Sequence, residues 1–127
     1  MDPIPPHRVR VRYCETDRMG VAHHSSYVAW FEEARTEWLR ARGKSYRQFE
    51  DEGILLTVVA LEAQYRASVT YDDVVLVTTH VVERKRASIK LGYEVRREGS
   101  GALVATGATT LACIDRAGNL RRLPAEV

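Results

Sequence analysis

The chain has 127 residues, which allows one hydrophobic core and leaves little for a second, so we expect a single domain over residues 1–127. Nineteen Lys and Arg against 17 Asp and Glu give a formal net charge of +2, too balanced for a general nucleic-acid binder. The sequence has no apolar run long enough for a membrane span and no secretion signal, which predicts a soluble cytoplasmic protein.

Two compositional features concern the chain's environment. Cys14 and Cys113 lie far apart in apolar or strand-like runs, so we expect both to be reduced and structural, with a disulfide as the less favoured alternative. The basic residues are mostly arginine, and only three side-chain amides occur. Scarce amides are typical of a thermophile, although a GC-rich genome explains the arginine equally well.

The first element predicted along the chain is a strand. Pro3, Pro5 and Pro6 prevent an early helix. In the following "HRVRVRY", residues 7–13, valine and tyrosine alternate with arginine. We expect the valines to face the core and the arginines to face water or a ligand.

A long helix is predicted from Ser26 onward, because the apolar spacing changes to that of one helical face. Ser25 or Ser26 is expected to cap its start, and Gly43 to supply the left-handed stop. About 16 residues give a length of roughly 24 Å, enough to cross a sheet. The apolar face consists of Tyr27, Trp30, Phe31, Ala34, Trp38 and Ala41.

The remainder is predicted to be mostly strand. A short helix in "KSYRQFEDEG" ends at Gly53, and strand-like segments follow at 54–67, 73–86, 87–98 and 102–115. Tight turns between them favour antiparallel neighbours. The fold class is therefore α+β, with a long central helix wrapped by an antiparallel sheet of about five strands. Its long edges would be covered by pairing in a dimer.

The polar stretch before the long helix contains the candidate chemistry. Asp17 is either a nucleophile or general base beside the helix start, or a turn aspartate that bonds its own backbone, and spacing alone favours the turn. The side chains of His23 and His24 are expected to diverge, and no further ligand stands at zinc-site spacing, so we expect no metal. Basic clusters at 84–86 and 121–122 either hold a phosphorylated ligand or are charged strand ends.

The whole pattern resembles a known family. "YCETDRMGVAHHSSYVAWFEEARTEWLR", with "TVVALEAQYRASVTYDD", "ERKRASIKLGYEV" and "RRLP", resembles the hotdog-fold acyl-CoA thioesterases, in particular the 4-hydroxybenzoyl-CoA thioesterase family and its Tol–Pal-associated branch. The resemblance implies a hotdog fold, edge-to-edge homodimers that often form homotetramers, and hydrolysis of acyl-CoA to free acid and coenzyme A without a cofactor. Non-catalytic binding of acyl-CoA or acyl carrier protein is the alternative. A hotdog dehydratase is disfavoured because the helix interior has no histidine.

The resemblance also implies roles for residues of the polar stretch. Asp17 occupies the position of the catalytic carboxylate, which attacks the thioester carbon or activates water. The backbone N–H of His24 would polarise the thioester carbonyl. Gly20 would let the loop come close, and Tyr27 would shape the site. His23 stands where relatives more often carry an aromatic residue, beside the acyl channel.

A second set of residues is implied to bind the substrate's nucleotide end. The basic run and the serine behind it lie where relatives contact the coenzyme A phosphates, and two later arginines are further candidates. These residues are Arg84, Lys85, Arg86 and Ser88, with Arg121 and Arg122.

Overall fold

The computed structural model describes residues 3–127. A short strand and a 3₁₀ turn lead into a long helix, a short helix and four long strands. In chain order these are β1 (His7–Arg10), the turn Tyr13–Glu15, α1 (His24–Ala41), α2 (Tyr46–Asp51), β2 (Leu55–Tyr65), β3 (Val74–Arg84), β4 (Ser88–Arg97) and β5 (Leu103–Ile114). The predicted α+β order of elements is confirmed.

The strands form one sheet in the order β1-β3-β4-β5-β2, and every neighbouring pair is antiparallel. β2 therefore pairs with β5 and is not a neighbour of β3, contrary to the expectation from the tight turns. The reason is the length of the connection at 66–73, which when extended spans roughly 26 Å. The distance across three strand spacings is only about 14 Å.

The start of α1 differs from the prediction. The helix begins at His24, and the capping residue is His23, whose Nδ1 accepts a hydrogen bond of 3.1 Å from the N–H of Ser25. Ser26 cannot cap, because its hydroxyl donates to the main-chain oxygen of Glu15 at 2.8 Å. The far end agrees with the prediction, since Gly43 has a left-handed φ of +117°.

The predicted apolar face of α1 is buried, apart from Ala41 at its end. It packs against the inner face of the sheet, where the alternating residues Ile89, Leu91, Tyr93 and Val95 of β4 are also buried, as predicted. The ring of Phe31 stacks on Tyr93 with 4.6 Å between centroids. The core is thus one layer between the helix and the sheet.

The beginning of the chain is less extended than predicted. β1 ends at Arg10, and Tyr13 is 78% exposed because the chain turns there into the 3₁₀ segment. Cys14 lies in the same turn and is exposed, so the structural role expected of both cysteines fits only the buried Cys113. Both thiols are free. Among the helices of residues 3–127, none is long and apolar enough to cross a membrane.

Candidate active site

The loop between β1 and α1 forms a closed turn around Asp17. The N–H of Asp17 donates to the carbonyl of Val21 at 2.9 Å, and the N–H of Gly20 donates to the carbonyl of Asp17 at 3.0 Å. Gly20 has φ +82°, a left-handed conformation that favours glycine. Apart from its two chain neighbours, no atom of residues 3–127 lies within 4 Å of where a Cβ would stand. Turn geometry, and not a close approach to other protein atoms, therefore explains this glycine.

Only one oxygen of the Asp17 carboxylate accepts a hydrogen bond within the turn. Its Oδ1 accepts the N–H of Met19 at 2.8 Å, as a turn aspartate does. For Oδ2, no hydrogen-bond partner occurs within residues 3–127. The side chain is partly exposed. One oxygen thus fixes the rotamer while the other is available to a substrate or a water molecule, so the two sequence-based alternatives are compatible.

The far side of the loop rests on the turn before β3. Val21 forms a β-bridge with Thr70. The carboxylate of Asp73 accepts the N–H of Thr70 at 2.8 Å and is paired with Arg97 at 3.0 Å. The bond from Thr70 and the charge of Arg97 lower the pKa of Asp73 below its usual range. This ion pair therefore supports the loop that carries Asp17.

A free backbone donor lies at the start of α1. The N–H of Ser25 is satisfied by the imidazole of His23, and the N–H of Ser26 by the His23 carbonyl at 2.9 Å. For the N–H of His24, the described part of the chain offers no acceptor. Helix N-termini combine such donors with the positive end of the helix dipole. The His24 N–H is therefore suited to bind a ligand oxygen.

The two histidines lie side by side, contrary to expectation. Their ring centroids are 4.0 Å apart with 34° between planes, because His23 turns its Nδ1 toward the helix to cap it and the ring of His24 lies alongside. In the chain from residue 3 onward, no group of three or more His, Cys, Asp and Glu side chains is arranged around a common point to hold a metal ion.

An aromatic cluster forms the inner wall beside the helix start. Tyr27 is buried and contacts Tyr65 edge-on, with 5.0 Å between centroids. The hydroxyl of Tyr65 donates to the carbonyl of His24 at 3.1 Å. Burial raises the pKa of the Tyr27 phenol. Tyr65, at the end of β2, thus joins the site through its contacts with Tyr27 and His24.

Glu15 was missed by sequence reasoning. It is buried, with 7% exposure, and its Oε2 accepts the indole N–H of Trp30 at 2.8 Å. No periodicity marks it, because it lies in the 3₁₀ turn between strand and helix. A glutamate in a polar stretch carries no local signal of burial.

The predicted basic residues divide into two groups. Arg86, Arg121 and Arg122 line one pocket of about 340 Å³ at the far end of β5. The chain there is held by a hydrogen bond from the N–H of Leu123 to the carbonyl of Arg86 at 2.8 Å. The structure thus brings together two basic segments that are distant in sequence.

The second group consists of Arg84 and Lys85, which do not line this pocket. Its guanidinium donates to the carbonyl of Pro124 at 3.1 Å and to the main-chain oxygen of Val127, so it holds the C-terminal segment. Lys85 is exposed beside Glu83, and its N–H donates to the carbonyl of Ser88 at 2.8 Å. The predicted phosphate-binding run is therefore split, because β3 ends at Arg84 and the chain turns through Lys85 and Arg86 before β4 begins.

A sequence profile described as the thioesterase-like superfamily matches residues 11–127, which include the candidate loop, both helices and all four long strands. The chain belongs to this superfamily.

Similar proteins and solved structures agree with this assignment. The acyl-CoA thioesterase YbgC of Haemophilus influenzae is 33% identical over 84% of this chain and 78% of its own. Among solved structures, the hypothetical protein TT1821 from Thermus thermophilus is 36% identical, with a TM-score of 0.90 over 97% of this chain and 93% of its own. The DHNA-CoA thioesterase from Staphylococcus aureus is 37% identical, with a TM-score of 0.89 over 94% and 80%.

These similarities confirm the hotdog fold predicted from the sequence. They also confirm the predicted kinship with acyl-CoA thioesterases. The Tol–Pal-associated branch stays a prediction.

Proposed function

We propose that this protein hydrolyses acyl-CoA thioesters to a free carboxylic acid and coenzyme A, with Asp17 as nucleophile or general base. One observation carries the proposal: the free carboxylate oxygen of Asp17 lies in a loop fastened to the start of α1, where the His24 N–H has no acceptor among residues 3–127. The relatives named as acyl-CoA and DHNA-CoA thioesterases support the substrate class.

Both versions of the mechanism use the same two groups. As nucleophile, Asp17 attacks the thioester carbon, expels the thiolate and forms an anhydride that water then cleaves. As general base, Asp17 takes a proton from water while the water oxygen attacks the carbon. Each path develops negative charge on the carbonyl oxygen, which the His24 N–H and the helix dipole stabilise. Neither path needs a metal or a cofactor.

The basic pocket fits the other end of the substrate. Coenzyme A carries phosphates, and guanidinium groups bind phosphate with paired, charge-assisted hydrogen bonds. Arg86, Arg121 and Arg122 offer three such groups around one pocket. We assign the phosphates to this pocket. Arg84 is left out of this assignment because its guanidinium donates to the C-terminal segment.

The pocket and Asp17 lie at opposite ends of one protomer's sheet. Tyr65, which contacts the helix start, pairs with Ala105, whereas Ser88, beside the basic pocket, pairs with Ala112. The seven residue-to-residue steps from Ala105 to Ala112 along β5 correspond to about 24 Å. Within a single protomer, the basic pocket is therefore too far from Asp17 for both to belong to one site.

A homodimer formed through β2 would remove this separation. β2 is a long edge strand with half-exposed apolar side chains, which native proteins usually cover. Antiparallel pairing of β2 with its copy in a second protomer reverses the sheet direction. The basic pocket of one protomer then lies at the Asp17 end of the other. The exposed apolar residues of β2 are Val58, Val59, Leu61 and Tyr65.

The activity is tested by measuring coenzyme A release from short, long and aromatic acyl-CoAs. Release from at least one class is expected, and the ranking would define the acyl specificity. Binding of acyl-CoA without release would contradict the proposal and favour the non-catalytic hotdog protein, or an acyl carrier protein as the natural donor.

Mixed dimers test whether the site is shared. An Asp17→Asn protomer combined with an Arg86→Gln/Arg121→Gln protomer would form one site with every group intact. We expect the mixture to be more active than either variant alone. Activity no greater than the sum of the separate variants would place both halves of the site within one protomer.

The remaining predictions concern context. Assembly of dimers into tetramers, a cytoplasmic location, a thermophilic source, and contact of His23, Lys85 or Ser88 with the substrate all stay predictions. Light scattering would test the assembly directly, because a dimer contains two chains of 14.4 kDa.

A further inference from the structure

Glu15 is a buried residue whose carboxylate accepts several hydrogen bonds, and it lies just before Asp17 in the loop between β1 and α1. Its Oε1 accepts the main-chain N–H of Arg12, and its Oε2 accepts the indole N–H of Trp30, each at 2.8 Å. The guanidinium of Arg12 lies 3.5 Å from Oε2. Both carboxylate oxygens are therefore occupied by protein donors, one from before the loop and one from the second turn of α1.

The main chain of Glu15 is tied to the same helix. Its carbonyl accepts the N–H of His23 at 2.8 Å and the hydroxyl of Ser26 at 2.8 Å. One residue thus contacts the helix start through its backbone and the helix interior through its side chain. Asp17 follows two residues later, and His24 follows His23 directly.

We propose that Glu15 is the positioning residue that sets the separation between the Asp17 carboxylate and the His24 N–H. The inference rests on the proposed function, because it assigns no contact with substrate to Glu15 itself. Reaction at a carbonyl requires the attacking oxygen and the oxyanion donor to be fixed to within a fraction of an ångström. Glu15 contacts both of the segments that carry them.

Stability alone is a poor explanation for this residue. Removing a carboxylate from water is unfavourable, and hydrogen bonds such as those from Arg12 and Trp30 roughly offset that cost. Apolar groups of the same shape in place of both the carboxylate and its donors would stabilise the turn about as well. The carboxylate instead fixes the relative position of two segments, because it accepts one donor from each of them.

The test is the variant Glu15→Gln, which keeps the size but has a single acceptor oxygen. Its NH₂ group must face a donor, either the N–H of Arg12 or the indole of Trp30. We expect kcat for acyl-CoA hydrolysis to fall about 10- to 100-fold, the range for a displacement of roughly 1 Å. KM should change by less than about threefold, because no substrate contact is lost.

A matched control separates positioning from loss of stability. Tyr46→Phe removes two hydrogen bonds away from the loop: the one that the Tyr46 hydroxyl donates to the carbonyl of Leu56, and the one that it accepts from the N–H of Leu56. It should lower Tm and leave kcat unchanged at temperatures well below Tm. In Glu15→Gln, the indole N–H resonance of Trp30 should also shift and exchange faster with solvent.

The outcomes are distinguishable. If kcat of Glu15→Gln equals that of wild type, the inference is wrong, and the proposed function is unaffected. An equal loss of kcat in Glu15→Gln and Tyr46→Phe at matched stability overturns it as well, since the effect would be general. A wild-type protein that releases no coenzyme A overturns the proposed function, and the inference with it.

Discussion

Gly107 of β5 lies directly under the ring of Phe31 from α1: a Cβ atom at position 107 would stand 2.4 Å from Cε2 of that ring. The carbonyl oxygen of Glu62 on β2 would be 3.0 Å away on another side. Helix and sheet therefore meet at this point without room for a methyl group. A glycine in a strand permits such a close approach.

Gly107→Ala should lower the free energy of unfolding by about 1–3 kcal/mol, the usual cost of forcing an extra methyl group into a packed core. Urea denaturation measures the change. Phe31→Leu should recover part of the loss in the double variant, giving a favourable coupling energy in a double-mutant cycle. A Gly107→Ala protein as stable as wild type would contradict the packing described.

Asp73 should make the protein sensitive to acid. Its pKa is lowered in the folded state, so the carboxylate contributes its full stabilisation above its ordinary pKa of 3.8. That contribution is lost as the pH falls from there through the lower folded pKa. Wild type should therefore lose more stability than Asp73→Asn between about pH 6 and pH 3 in urea titrations. A difference between the two that does not change with pH would contradict this reasoning.

The basic pocket should give coenzyme A binding that depends on salt. Arg86→Gln and Arg121→Gln should each weaken the affinity about tenfold, as expected for losing a hydrogen bond to a charged group. Arg47→Gln, an exposed arginine on α2, serves as the control and should have no effect. Titration calorimetry at about 0.05 M and 0.3 M salt should show a smaller salt dependence in the pocket variants. Unchanged affinity would place the phosphates elsewhere.

The fold was predictable where apolar residues repeat at a regular spacing along the sequence. The alternation in β4 and the spacing of Trp30, Phe31 and Trp38 specify which faces are buried, because burial repeats with the geometry of each element. The helix start was not predictable to the residue, since serine caps far more often than histidine and only the fold shows that Ser26 bonds Glu15 instead. Pairing of β2 with β5 likewise depends on contacts distant in sequence.

The candidate site was predictable only in part. Asp17 and His24 were identified through resemblance. In the structure, Asp17 lies in the loop before α1, and His24 is the first residue of that helix. Tyr65 reaches the site from 41 residues away, and Glu15 is buried by Trp30, so neither has a local signal. The basic run gave no indication that Arg84 would turn to the C-terminal segment.

The most direct test of the account is to compare Asp17→Asn with wild type in two measurements on the same acyl-CoA. Turnover is followed by coenzyme A release, and affinity by calorimetry with a non-hydrolysable acyl-CoA analogue. The substitution keeps the turn bond to Met19 through the amide oxygen and removes the charge. We expect turnover to fall at least about 100-fold with the affinity unchanged. Turnover retained in Asp17→Asn would contradict the central claim that this carboxylate performs the chemistry.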